Sequence, residues 1–148
     1  MTINPLDRSN YFRGLLVLAG YEKNITENKK EILKKVANIL GFNHHFIDKA
    51  IEDFFENDFI IEEPPVFSDF YFAETFIKDG IRISLSDKIL KLDQIEWLSA
   101  IAAKNNLSRQ WFFIELENFL ENYSSVCSKN FEIQKYLNHK TNDNSFVY

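Results

Sequence analysis

The sequence predicts an all-α protein that folds as one compact domain of about six or seven helices. The chain of 148 residues has only 4 Gly and 3 Pro, whereas a sheet protein needs turn residues roughly every 8–12 positions. Its apolar residues instead recur three and four positions apart, which is the period of an amphipathic helix. Hydrophobic residues make up 45% of the chain, and this supplies one core at such a length.

Three helices are predicted in the first half of the chain. The first covers about residues 6–21, and the second ends at Gly41, a residue type that readily takes the left-handed conformation of a helix stop. After the third helix, Pro64 and Pro65 form a linker at the midpoint, because two prolines in a row end any helix. Each helix follows a residue type that caps helix N-termini. These caps are Asn4, Thr26 and Asn43.

Three further helices are predicted in the second half. Ser68 is the expected cap of the fourth, which should end near Asp79-Gly80. A connector over residues 81–85 leads to a fifth helix of about 86–105, with a break near Leu92 as an alternative. Ser108 caps the sixth helix. Its core-facing stripe is predicted to be Phe112, Leu116, Phe119, Leu120 and Tyr123.

A weaker helical pattern over residues 130–137 closes the predicted domain, which spans residues 1–137. The remaining residues 138–148 are polar and are expected to form a flexible tail. The two halves of the domain cover about residues 6–57 and 67–123.

The two halves share a pattern of apolar residues at an offset of 65 positions. Gly41 and Asn106 correspond at this offset, and both are residue types that tolerate the left-handed conformation after a helix. The sequence therefore predicts an internal pseudo-duplication. The matching positions are Leu33, Val36, Ala37 and Phe42 in the first half and Leu98, Ile101, Ala102 and Leu107 in the second.

Part of this pattern is similar to that of a known family. Residues 16–19 read Leu-Val-Leu-Ala and lead into Ile-Thr-Glu-Asn-Lys-Lys-Glu over 25–31, followed by a helix that stops at Gly41. On these residues the chain resembles the TerB-like domains of tellurite resistance, over roughly residues 12–51 and more loosely in the second half. The resemblance implies a small pseudo-duplicated helical domain, a bacterial stress-response setting and no enzymatic activity.

The resemblance also directs attention to metal ligands. Better-known members hold a divalent cation through acids that follow an Asp-Gly pair after the first helix. This chain has Gly20-Tyr21-Glu22 at that place, whereas Asp79-Gly80 occurs in the second half with Asp87 after it. Asp93 and Glu96 lie three residues apart on one predicted helix face, and hard cations favour such converging carboxylates. The alternative predicted function is therefore divalent-cation binding by Asp79, Asp87, Asp93 and Glu96. A divalent cation is the one cofactor that the sequence indicates.

The first predicted function is a non-catalytic protein-interaction module. Glu52 and Glu56 belong to an acidic row on the third helix, which suits a basic partner. Trp111 and Phe113 flank Phe112 on the sixth helix, and three consecutive helical positions cannot all face the core. Exposed aromatic side chains are typical of interfaces. The expected partner is another protein or a second copy of the chain.

Charge and composition argue against several other classes. The net charge of −5 does not suit a nucleic-acid binder, which usually shows a basic face. No apolar run approaches the roughly 20 residues of a membrane span, and one Cys excludes an internal disulfide. No Gly-x-Ser-x-Gly or zinc-site spacing occurs. We therefore expect a cytoplasmic protein that is not an enzyme.

Overall fold

The helical fold predicted from the sequence is confirmed. A computed structural model describes residues 3–21, 24–56, 63–122 and 131–145. Over these ranges the chain contains seven α-helices and no strand, and the helices pack as one domain. They are α1 (Pro5–Ala19), α2 (Glu27–Ile39), α3 (His44–Asp53), α4 (Phe70–Ser84), α5 (Leu92–Lys104), α6 (Arg109–Glu121) and α7 (Glu132–Ser145), with one 3-10 turn at Phe54–Glu56 after α3.

The first three helices recur 65 residues later in the chain. Helices α1, α2 and α3 begin at residues 5, 27 and 44, and α4, α5 and α6 begin at residues 70, 92 and 109. The stops of α2 and α5 also match, because Gly41 and Asn106 have positive φ angles of 90° and 61°. The next amide in each half reaches back to the helix, from Phe42 to the Ala37 carbonyl and from Leu107 to the Ala102 carbonyl.

Side-chain oxygens satisfy the first free amides of five helices, as the sequence predicts for four of them. Asn4, Thr26, Asn43 and Ser108 cap α1, α2, α3 and α6. The predicted cap Ser68 is wrong, because Asp69 caps α4 by accepting the Tyr71 amide at 2.9 Å. Ser68 donates its own amide and hydroxyl to the Asp7 carboxylate of α1.

Helix α4 continues through Asp79-Gly80 to Ser84, so the predicted stop near these residues is wrong. Gly80 is required for close packing rather than for a turn. A Cβ atom there would lie 2.7 Å from Leu98 Cδ2 and 3.0 Å from Leu18 Cδ1. The predicted start of α5 near residue 86 is also wrong, since Lys88 has a φ of 66°, which interrupts a helix.

Helices α1 and α4 form the centre of the domain. Residues later in α1 contact residues later in α4, from Asp7 with Ser68 to Tyr11 with Phe76. The two helices therefore run side by side in the same direction. Helix α2 packs on α1 and α3, whereas α5, α6 and α7 pack on α4. The most enclosed aromatic side chains of the core are Tyr11, Phe72, Phe76 and Phe112.

Helix α7 extends to Ser145, whereas the sequence pattern indicated a helix only to about residue 137. Residues 146–148 of the predicted tail lie outside the described ranges. Within the described ranges, no helix has the length and apolarity that crossing a membrane requires. The linker at Pro64-Pro65 is held by α5, because Asn105 donates to the Pro65 carbonyl at 2.9 Å and accepts the Phe67 amide at 2.8 Å.

Candidate functional site

Asp79 lies in the middle of α4 and is enclosed by the fold. Its carboxylate accepts the hydroxyl of Tyr11 at 2.7 Å and the guanidinium of Arg82 at 2.9 Å. It also accepts the backbone amides of Glu132 at 2.8 Å and Ile133 at 3.1 Å. These two amides belong to the first turn of α7, so Asp79 caps a helix that begins more than fifty residues later in the chain.

The chemistry of Asp79 is that of a structural anchor. Burial raises the pKa of this carboxyl, while Arg82, the Tyr11 hydroxyl and the two amides oppose that rise. Burial also raises the pKa of Tyr11 well above its ordinary value, with the Asp79 charge adding to the effect. Four donors already surround the two oxygens of Asp79, and each donor belongs to the protein itself.

Asp87 lies in the turn between α4 and α5 and contacts the start of α2. It accepts the Thr26 hydroxyl at 2.8 Å and the Asn28 side-chain amide at 3.2 Å, and Lys29 Nζ lies 3.4 Å from it. Partial burial raises the pKa of Asp87, but the two hydrogen bonds and the Lys29 charge outweigh it, so the pKa falls below the ordinary value. Lys29 is itself buried, and Asp87 is its ion partner.

The four predicted metal ligands do not come together as a group. Asp79 is enclosed beside α7, Asp87 contacts α2, and Asp93 and Glu96 are exposed on α5. In the part of the chain that the structure describes, no cluster of three or more His, Cys, Asp or Glu side chains has the arrangement of a metal site. The spacing that suggested this set therefore reflects two structural anchors and two exposed acids.

The predicted acidic row on α3 is partly balanced by lysines. Asp48 lies 3.7 Å from Lys34 Nζ, and Asp53 lies 3.6 Å from Lys49 Nζ. Glu52 is exposed on α3, and Glu56 is exposed in the 3-10 turn that follows. The row is consequently a surface of mixed charge with two outward-facing glutamates.

Two grooves border this region, each of roughly 430 Å³. One lies between α1 and α3, and the other lies between α2 and α3, where Glu52 is part of its wall. Exposed ion pairs line both openings and apolar side chains form the floors. The residues around the first groove are Arg13, Leu16, Phe46, Lys49, Ala50, Asp53 and Phe54.

The outer face of α6 carries three exposed apolar side chains. Phe113, Ile114 and Leu120 are 40%, 48% and 50% exposed. Leu120 was predicted to face the core with Phe112, Leu116 and Phe119; the prediction is correct for those three and wrong for Leu120, and Tyr123 lies outside the described residues. Among the two predicted contact aromatics, Phe113 is exposed and Trp111 is half-buried against the core.

Helix geometry places Phe113 and Leu120 together, with Ile114 about 100° further around the helix from Phe113. Phe113 and Leu120 are seven positions apart, which is close to two helical turns, so they lie on one line along the helix. Glu117 lies between them on that line and is exposed. The Arg109 guanidinium lies 5.5 Å from the centre of the Phe113 ring at the N-terminal end of the same face. We refer to Phe113, Ile114, Glu117 and Leu120 as the outer face of α6.

No family model, no curated protein and no solved structure matches this chain. The resemblance to TerB-like domains therefore stays a prediction that rests on the residues quoted for it.

Sequence reasoning missed the enclosed polar side chains that hold the helices together. Asp7, Asn105 and Gln94 are all buried, and each bonds a distant segment. Each of them follows or begins a helix, where a buried amide or carboxylate can satisfy free backbone groups, and this is the signal that could have found them.

Proposed function

We propose that this chain is a non-catalytic protein-interaction module that contacts its partner through the outer face of α6. The observation that carries this proposal is the set of three exposed apolar side chains, Phe113, Ile114 and Leu120, which spans about two turns of one helix. Burying large apolar and aromatic side chains is the main source of favourable free energy in protein association.

The other large apolar side chains that are exposed in the described residues have a different distribution. Each of them lies in the first turn of a helix or in a connector, where short segments are ordinarily exposed. Only on α6 do they continue through the body of a helix. The others are Leu6, Phe46, Val66, Phe70, Tyr71, Ile89 and Leu92.

The repeated architecture supports a functional rather than a folding origin for Phe113 and Ile114, whereas Leu120 corresponds to Phe55, which is apolar as well. In α3, which corresponds to α6 at the offset of 65 residues, the positions of Phe113 and Ile114 are held by Asp48 and Lys49. The same helix position is therefore compatible with polar residues in this fold. Apolar residues at that position in α6 are best explained by contact with another molecule.

A double substitution, Phe113→Gln with Leu120→Gln, tests the proposal. Glutamine has a good helix propensity and no charge, so the fold should be retained. The matched control is Leu6→Gln with Leu92→Gln, because both leucines are 67% exposed and lie outside α6. Tagged versions of the three proteins are used to recover bound proteins from a lysate of the source cells, and self-association is measured by sedimentation.

The expected result is a specific protein, or a second copy of the chain, that is bound by the wild type and by the control but is lost from the α6 variant. Equal retention by all three proteins would exclude the α6 face as the contact surface. Absence of any bound protein or self-association in the wild type would count against an interaction module altogether.

A further inference from the structure

The charges around the outer face of α6 are predominantly negative. Glu117 lies within the face and Glu121 lies one turn further along, and both are exposed. No ion pair joins either of them to another described residue. Helix α6 has no basic residue in its last turn, so the negative end of the helix dipole adds to these two charges. The cation Arg109 lies at the opposite end of the helix, over the Phe113 ring.

A second pair of acids lies along the flank where α6 packs on α4. Glu115 is half-buried on α6 and Glu74 is half-buried on α4. Burial raises the pKa of Glu74, Lys78 opposes this, and the charge of Glu115 raises it further, so the two carboxylates interact across the helix pair. The apolar surface thus has acids both within it and along one side.

We propose that the partner of this face is a basic amphipathic helix, which packs its apolar side chains on Phe113, Ile114 and Leu120 and places Lys or Arg side chains against Glu117 and Glu121. The inference rests on the proposed function, since it names the partner of the same face. Helices pack on one another through side chains on one face, and here Phe113 and Leu120 lie seven positions apart on one line, with Ile114 beside Phe113. Complementary charge then fixes the choice of partner and its orientation.

A second copy of the chain is disfavoured as the occupant. In a symmetric dimer through α6, the same patch would meet itself. Glu117, near the middle of the face, would then lie close to Glu117 of the other copy, in chains that each carry a net charge of −5. Like charges placed together at an interface oppose association.

Two synthetic helical peptides of about 20 residues, long enough to form a helix on binding, test this inference. Both carry the same leucine stripe, and their polar positions are Lys in one peptide and Glu in the other. Binding to the full chain is measured by fluorescence anisotropy at low and high salt. The proteins are the wild type, Glu117→Lys with Glu121→Lys, Glu27→Lys with Glu31→Lys, and Phe113→Gln with Leu120→Gln.

The expected result is that the wild type binds the Lys peptide in preference to the Glu peptide. Reversing Glu117 and Glu121 should weaken binding about tenfold or more at low salt, and less at high salt, because exposed ion pairs are screened. The change at Glu27 and Glu31 alters the net charge equally and should leave binding unchanged, because these exposed acids lie on α2, away from α6. The α6 glutamine variant should also lose binding.

Other outcomes would overturn the inference, and they separate it from the proposed function. Loss of binding in the glutamine variant but not in the Glu117/Glu121 variant would leave α6 as the contact face and refute a basic partner. Equal losses in both charge-reversed proteins would show long-range attraction alone, and equal binding of the two peptides would show hydrophobic contact alone. Sedimentation of the wild type as an α6-dependent dimer would identify a second copy as the partner. If the glutamine variant binds as well as the wild type, the α6 face itself fails.

Discussion

The carboxylate of Asp79 accepts the backbone amide of Glu132 at 2.8 Å and thereby joins the middle of α4 to the start of α7. A free amide at a helix start requires an acceptor, and here a distant residue supplies it instead of the usual neighbouring cap. Arg82 strengthens the junction, because its guanidinium contacts Asp79 at 2.9 Å and lies 3.5 Å from the Glu132 carboxylate. At the other end of the junction, the Tyr136 hydroxyl donates to Asp69 at 2.8 Å. Asp79 of α4 and Asp69, the residue that caps α4, therefore fix the position of α7.

Replacing Asp79 by alanine should destabilise the protein strongly. The substitution removes the nearer of the two carboxylates that contact the buried Arg82 and leaves two amides of α7 without this acceptor. Breaking a buried pair in this way costs about 3–5 kcal/mol of unfolding free energy. Urea unfolding followed by circular dichroism measures that loss, and hydrogen exchange should show the first amides of α7 opening before the rest.

The matched control for this prediction is Asp93→Ala, since Asp93 is an exposed aspartate on α5. Its substitution should change the unfolding free energy by no more than about 0.5 kcal/mol. A small loss in both variants would show that the Asp79 junction contributes little to the stability of the fold.

Asp87 should stabilise the protein at neutral pH and lose that effect in acid. Its pKa lies below the ordinary value of 3.8 in the folded protein, so its contribution is present above the pKa of the unfolded chain and is lost as the pH falls through the folded pKa. Asp79 has a raised pKa, so its own contribution to stability is lost as the pH rises. That contribution is the same in the wild type and in Asp87→Asn. We expect Asp87→Asn to be less stable than the wild type by about 1–3 kcal/mol at pH 7, because Lys29 loses its ion partner.

Unfolding experiments on the wild type and Asp87→Asn between pH 7 and about pH 3 test this dependence. The difference in unfolding free energy should be constant near neutral pH and should narrow below about pH 4. A difference that stays the same over the whole range would mean that the charge of Asp87 is not what stabilises the contact with α2.

Local sequence patterns were sufficient to predict most of the fold. The caps Thr26 and Asn43 and the stops Gly41 and Asn106 act within one turn of the residues that they control, so their effect can be inferred from neighbouring positions alone. The offset of 65 residues could be inferred for the same reason, because it is a repetition of these short-range signals in the second half of the chain.

The errors arose where a long-range contact decides the local structure. Asp79-Gly80 has the composition of a helix stop, but Gly80 is fixed by its packing on Leu98 and Leu18, which no local pattern reveals. The four predicted metal ligands lie apart for a related reason, because the carboxylate of Asp79 accepts hydrogen bonds from residues more than fifty positions away. The exposure of Leu120 likewise depends on where α4 and α5 leave α6 uncovered.

Divalent cations should leave the melting temperature unchanged, which tests the alternative function. Asp79 and Asp87 already accept hydrogen bonds from the protein, and Asp93 and Glu96 do not join them. A ligand at 100 times its dissociation constant adds about 2.7 kcal/mol of stability, which would raise the melting temperature of a chain of this size by several degrees. A shift with one cation that is absent from an Asp87→Asn variant would contradict this expectation and restore cation binding as the function.

Replacing Ser84 by alanine should preserve or increase stability. Ser84 is fully enclosed at the end of α4, and its hydroxyl has no hydrogen-bond partner in the described part of the chain. An unpaired buried hydroxyl is unfavourable, and alanine has the better helix propensity, so we expect a gain of up to about 1 kcal/mol. Ala19 occupies the corresponding position in the first half, which shows that the fold accepts alanine there.

Ser86→Ala is the matched control, because the Ser86 hydroxyl donates to the Ile83 carbonyl at 2.7 Å and its removal should cost about 0.5–1.5 kcal/mol. Thermal unfolding of the two variants gives the comparison, and a larger loss for Ser84→Ala than for Ser86→Ala would reveal a bound water or another partner at Ser84.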